Sequence, residues 1–102
     1  MPNLFKNLFG KPADLKSIYA GGAIILDVRT PQEFSTGHIK GAINIPVDQV
    51  KGVVSELKKK NKPVITCCRS GARSGMAKSI LEAAGLETYN GGPWNSLEKE
   101  IR

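Results

Sequence analysis

A chain of 102 residues with a formal net charge of +6 has the length of one domain, enough to bury roughly two-thirds of its unfolded surface. Its composition is that of an ordinary soluble globular protein, and no run approaches the ~20 apolar residues that a membrane-crossing helix needs. The basic residues are spread, and aromatic residues are too few to interleave with them. No nucleic-acid or membrane partner is therefore expected, although a positive surface draws small anions toward a site.

The start, Met1 to Gly10, lacks the continuous apolar stretch and small-residue cleavage site of an export signal, so a cytoplasmic location is expected. Residues 1–11 read as an N-terminal extension and 12–102 as the domain. Pro12 to Tyr19 reads as a short helix stopped by Gly21-Gly22. Ala23 to Val28 is an apolar run of strand length, suited to a buried parallel strand. Thr30-Pro31-Gln32-Glu33 combines a cap, a proline at the first helical position and a glutamate three residues on, which predicts a short helix ending near Gly37. Ala42 to Ile45 is a second strand, closed by Pro46. From Val47 to about Lys60 the residues Val50, Val53, Val54 and Leu57 share one helical face. The lysines at 58, 59, 60 and 62 read as the solvated end of that helix.

Pro63 to Cys67 is the third strand. A helix is expected from about Arg73 to Ala84, with Met76, Ile80 and Leu81 facing inward and Gly85 beyond its end. Glu87 to Tyr89 is a short last strand, and Gly91-Gly92-Pro93-Trp94 leads into a terminal helix. Strands alternating with helices predict a single α/β domain with a central, mostly parallel sheet flanked by helices on both faces. Ligands of such sheets bind beyond the carboxyl ends of the strands.

That is where Thr66-Cys67-Cys68-Arg69-Ser70-Gly71-Ala72-Arg73-Ser74 falls. A thiol at a strand end, then a small-residue loop, then a helix start, is an arrangement for anion chemistry. Loop N–H groups and the helix N-terminus supply positive potential, and the same field lowers the pKa of a cysteine held there. Gly71 with the small Ser70 and Ala72 lets the backbone curl with its amides inward. The two cysteines are adjacent, which disulfide geometry rarely tolerates, and with one histidine in the chain there is no ligand set for a structural zinc. No metal or cofactor is expected.

The chain resembles single-domain rhodaneses from about residue 12 to 100. The resemblance is carried by Leu26-Asp27-Val28-Arg29-Thr30-Pro31-Gln32-Glu33-Phe34, by Gly37-His38-Ile39-Lys40-Gly41-Ala42-Ile43-Asn44-Ile45-Pro46, by Cys68 to Ser74, and by Asn90-Gly91-Gly92. It implies a rhodanese-like domain and a thiosulfate sulfurtransferase. The loop cysteine attacks the outer sulfur of an anionic donor such as thiosulfate, becomes a persulfide, and yields that sulfur to cyanide or a thiol, protein thiols included. Loop amides stabilise both the thiolate and the persulfide anion.

Which cysteine reacts depends on the loop register. Cys67-x5-Arg73 is the spacing of cysteine phosphatases and arsenate reductases; Cys68-x4-Arg73 is the shorter ring of sulfurtransferases. Phosphatases typically carry histidine before the cysteine, where Thr66 stands, and Cys68 is taken as the nucleophile. A non-catalytic, partner-binding module is the third reading, and the presence of the cysteine argues against it. Cys67 is expected on the opposite face of the strand, as a small buried residue, with a second thiol that resolves or accepts the persulfide as the alternative reading. Arg69, Ser70, Gly71, Ala72, Arg73 and Ser74 are the expected substrate-binding residues. Arg69 is expected to meet the incoming anion or to stack over the entrance, and Arg73 to bind the anion or to order the loop through backbone carbonyls or a carboxylate. Asp27 and Arg29 are expected to brace the site, with Arg29 pairing Asp27 or Glu33. His38 is read as a structural hydrogen-bonding residue, and Trp94 as packing the terminal helix or walling the pocket.

Overall fold

Apolar runs without polar alternation leave a strand no solvent-facing side, so they gather at the centre of a parallel sheet. The computed structural model describes residues 14–102; the extension 1–11 and the expected helix start at Pro12 lie outside the described residues. Strands β1 (Ile24–Asp27), β2 (Ile43–Asn44), β3 (Val64–Cys68) and β4 (Thr88–Pro93) lie in the order β2-β1-β3-β4. Every pairing is parallel, so the mostly parallel sheet expected from the sequence is wholly so. Among the described residues five α-helices accompany it: α1 (Leu15–Ala20), α2 (Pro31–Ser35), α3 (Val54–Lys59), α4 (Ala72–Ala83) and α5 (Trp94–Ile101). No helix among the described residues is long and apolar enough to cross a membrane.

Two apolar layers sandwich the sheet. On one face Leu26, Val28, Val64 and Cys68 meet Val50, Leu57, Ala77 and Leu81. On the other, Ile25, Ile65 and Cys67 meet Leu15, Leu97 and Ile101. Side chains of a strand alternate between faces, so Cys67 and Cys68, although adjacent, belong to different layers as expected. Leu81 and Leu97 are fully buried, each worth about 1.5–3 kcal/mol of transfer free energy.

The segment after Pro46 departs from the single helix expected. It begins as a 3-10 helix, Val47–Val53, and only then winds into α3. Val47, Val50 and Val53 recur every third residue, which is the 3-10 period, and Gly52 with the branched valines weakens an α-helix there. A second difference concerns α4. Ser74, Ala77 and Leu81 face the sheet, whereas Met76, expected inside, is 59% exposed. The Thr66 hydroxyl donates to the Ser74 carbonyl at 2.9 Å and Ser74 packs on Cys68. With Ser74 turned inward, helical periodicity brings Ala77 and Leu81 beneath it and carries Met76 to the outer side.

Strand β4 runs further than expected, through Gly91 and Gly92, and its pairing with β3 shifts between Thr66 and Cys68. Only glycine permits this passage. A Cβ at Gly91 would stand 2.7 Å from Leu97 Cδ2 and 2.9 Å from the Thr66 carbonyl oxygen. The shift brings Asn90 and Gly92 alongside the loop that follows β3.

Candidate active site

Strand β3 ends on Cys68, and α4 begins four residues later with Gly71 as its N-cap. Gly71 has φ 99°, a left-handed conformation that side chains resist, and this turns its N–H back toward the sulfur. The Gly71 amide donates to Cys68 Sγ at 3.0 Å and the Ser74 amide at 3.4 Å. Ser74 Oγ lies 3.3 Å from the same sulfur. Burial opposes ionisation of this thiol. The hydrogen bonds from Ser74, Gly71 and Ser70 outweigh it, so the Cys68 pKa falls below the ordinary cysteine value.

Cys67 is the opposite case. Burial, joined by the negative charge of Asp27, pushes its thiol up to about 12. No loop amide reaches it, and its sulfur lies in the layer of Ile25, Ile65 and Leu97.

The expected substrate-binding residues separate into three sets. Gly71 and Ser74 meet the sulfur directly. Arg69, Ser70 and Ala72 are exposed at the rim, and Arg69 makes no side-chain hydrogen bond or ion pair among the described residues. Arg73 is committed elsewhere: its two terminal nitrogens donate to Glu33 Oε1 at 2.7 Å and Oε2 at 3.0 Å. Glu33 therefore serves two elements. It closes the α2 capping box, accepting from the Thr30 amide at 3.0 Å, and it anchors the first turn of α4.

That double use depresses the Glu33 pKa to about 2, first through Arg73 and then through the Thr30 amide. In the unfolded chain the carboxyl titrates near 4.5. Between these values the unfolded state binds more protons, so the contribution is complete above about pH 4.5 and is lost as pH falls toward 2. Acid unfolding followed by circular dichroism should show wild type more stable than Glu33→Gln at pH 6, with the gap closed near pH 2. A gap independent of pH contradicts the pairing.

Beneath the loop, Asp27 and Arg29 form a buried fork. Arg29 Nη2 lies 2.7 Å and Nε 2.9 Å from the Asp27 carboxylate, so Arg29 pairs Asp27 and leaves the Glu33 carboxylate to Arg73. The rest of the guanidinium donates to the carbonyls of Gly37 (2.7 Å) and Glu33 (3.2 Å), and it sits 4.8 Å from the Trp94 ring centroid. Trp94 thus opens α5 against Arg29 and against Gly37, where a Cβ would approach its ring to 3.1 Å. His38 Nδ1 is 2.7 Å from the Phe34 carbonyl, and its ring stacks on Phe34 at 3.7 Å, which occupies it in holding the end of α2.

A thiol of lowered pKa at the carboxyl edge of a parallel sheet, cradled by a loop and a helix start, is accompanied by a direct match to a family. The rhodanese-like domain model matches residues 11–93. The chain belongs to the rhodanese-like family. Among curated relatives of this rhodanese-like chain, an uncharacterised Bacillus subtilis protein is 45% identical over 69 residues, covering 67% of the chain and 54% of that protein. A thiosulfate sulfurtransferase of Escherichia coli is 41% identical over 61 residues, covering 59% of each. Several such relatives are longer, and the match spans about half of their length. Among solved structures, an Escherichia coli rhodanese with anions superposes with a TM-score of 0.67 at 35% identity, covering 74% of this chain and 91% of that one. A human single-domain sulfurtransferase gives a TM-score of 0.67 at 26% identity, covering 83% and 89%.

Two members of the rhodanese-like site were not given these roles by the sequence reading. The sequence offers Glu33 as a helix cap and as one of two partners for Arg29, whereas its bond to Arg73 spans 40 positions. Asn90 stood only within a glycine motif. Its side chain accepts from Ser74 Oγ at 2.7 Å and donates to the Gly71 carbonyl at 3.1 Å. The available signal was topological: a parallel neighbour of β3 must end beside the loop that β3 feeds.

Proposed function

We propose that this chain is a sulfurtransferase that carries a sulfane sulfur on Cys68, taking it from a small anionic donor such as thiosulfate. The observation that carries this reading is the convergence of the Gly71 and Ser74 amides and the Ser74 hydroxyl on Cys68 Sγ. In the first step the Cys68 thiolate attacks the outer sulfur of thiosulfate. The donor S–S bond breaks, sulfite leaves with its electron pair, and the outer sulfur remains as a persulfide anion. In the second step cyanide or a thiolate, that of a protein included, attacks this outer sulfur and Cys68 departs as the thiolate. Neither step needs a proton from Cys68, so no general base is required and His38 has no part.

Each chain element has a task in this reading. The loop amides stabilise negative charge on sulfur before, during and after attack. Arg69, exposed and uncommitted among the described residues, meets the incoming sulfonate oxygens. Arg73, held by Glu33, keeps the loop and α4 in place instead of binding the donor. A Cys67-based phosphatase or arsenate reductase has little support, because that thiol lies in the opposite layer, away from the amides that meet Cys68, and is pushed up to about 12.

Incubation with thiosulfate and cyanide is expected to release thiocyanate and sulfite in equal amounts, with no hydrolysis of an aryl phosphate. Aryl-phosphate turnover that depends on Cys67, without thiocyanate, overturns the reading.

A further inference from the structure

Asn90 sits at the protein surface, yet both ends of its amide are taken by protein groups. Its orientation is fixed chemically. The Gly92 N–H, 2.9 Å away, can only donate and so faces Oδ1, while the Gly71 carbonyl can only accept and so faces Nδ2. Oδ1 also accepts from Ser74 Oγ at 2.7 Å. The Ser74 hydroxyl has one proton and two acceptors in reach, Asn90 Oδ1 and Cys68 Sγ at 3.3 Å.

We propose that Asn90 is a positioning residue for the Cys68 sulfur, acting through a rotation of the Ser74 hydroxyl. With Cys68 as a thiol, S–H donates to Ser74 Oγ and Ser74 O–H donates to Asn90 Oδ1. When the thiol loses its proton to solvent, the Ser74 hydroxyl turns and donates to the sulfur anion. Asn90 Oδ1 is not orphaned by this turn, because it keeps the Gly92 N–H. No proton passes between Ser74 and Asn90; the hydroxyl only changes direction. The Nδ2 bond to the Gly71 carbonyl meanwhile holds the residue whose amide meets the sulfur. Thus one surface side chain couples the strand β4 to the charge state of the reacting thiol. The inference rests on Cys68 as that thiol.

The charged and titratable groups around the sulfur are few. Arg69 stands exposed at the loop rim next to Cys68, Arg73 with Glu33 stands at the α4 start, Cys67 lies behind on β3, and Asp27 with Arg29 lies at the β1 end. The stretch of β4 beside the loop, Asn90 to Pro93, carries none.

The test is the pH dependence of iodoacetamide alkylation at Cys68, located by peptide mass, in the full chain. Wild type, Asn90→Asp, Ser74→Ala and the double variant are compared. The aspartate competes more strongly for the Ser74 proton and cannot donate to the Gly71 carbonyl. Asn90→Asp should therefore raise the alkylation midpoint by about one pH unit in the Ser74 protein, and by less than half of that in Ser74→Ala. An equal rise in both backgrounds, or none, overturns the coupling: the residue would then act by charge alone or not at all. A second measurement needs no variant. In the wild-type protein the Asn90 side-chain amide resonance should shift through the Cys68 titration with the same midpoint, and an unmoved resonance overturns the proposal. Alkylation reads the thiol whether or not sulfur is transferred. Coupling without thiocyanate formation would sink only the sulfur-transfer reading, and thiocyanate formation without coupling only this one.

Discussion

Replacing Cys68 with serine is expected to lower thiocyanate formation by on the order of a thousandfold or more. A hydroxyl in that cradle is neither appreciably ionised nor able to hold a sulfane sulfur, so the Gly71 and Ser74 donors lose the anion they face. Cys67→Ala should leave kcat/KM within severalfold of wild type. It removes a small group from the layer of Ile65 and Leu97, and that loss appears in stability before activity. Steady-state kinetics on both variants checks this pair. A Cys67→Ala protein that folds but has lost turnover contradicts the assignment.

The second large effect is on folding. Asp27→Ala should destabilise the protein by about 3–5 kcal/mol, because it leaves the Arg29 guanidinium buried without its counter-charge. The two side chains are 0% and 4% exposed, so water cannot take the place of the carboxylate. Arg29 also donates to the Gly37 and Glu33 carbonyls, which connect β1 to the middle of the short α2 and to the turn beyond its end. Losing the anchor therefore loosens the platform that carries Glu33 and, through it, Arg73. For a domain of this size the expected fall in Tm is at least about 10 °C. Thermal unfolding of Asp27→Ala measures it, and a fall of one or two degrees would show that the pair contributes little.

The sequence reading reached the sheet, the helices on both faces and the loop because these rest on local rules. The β-branched runs at Ile24-Ile25 and Val64-Ile65 have no polar alternation, so only a doubly covered strand suits them. Thr30 with Glu33 announced the α2 start, and that capping box is present. Opposed faces for Cys67 and Cys68 follow from strand geometry alone, and the two core layers divide them accordingly.

What escaped was settled by tertiary partners. Met76 looked like a core residue by hydrophobicity, but the phase of α4 is set by Ser74 turning toward Cys68, and a polar inner residue is invisible to an apolar count. The 3-10 turn at Val47–Val53 obeys a three-residue period that a search for helical faces reads as α. The Glu33–Arg73 and Asn90–Ser74 bonds join elements brought together by strand order, which single-sequence periodicity does not encode. Both bear on how the loop is held and neither on which residue carries the sulfur, so the proposed chemistry was more legible than its support.

The most direct test of a Cys68 persulfide is intact-protein mass after thiosulfate treatment, with peptide mapping of the adduct and a cyanide chase. A gain of one sulfur atom, located on Cys68 and cleared by cyanide, is the predicted result. Sulfur located on Cys67, or no gain from thiosulfate in folded protein, would contradict the account.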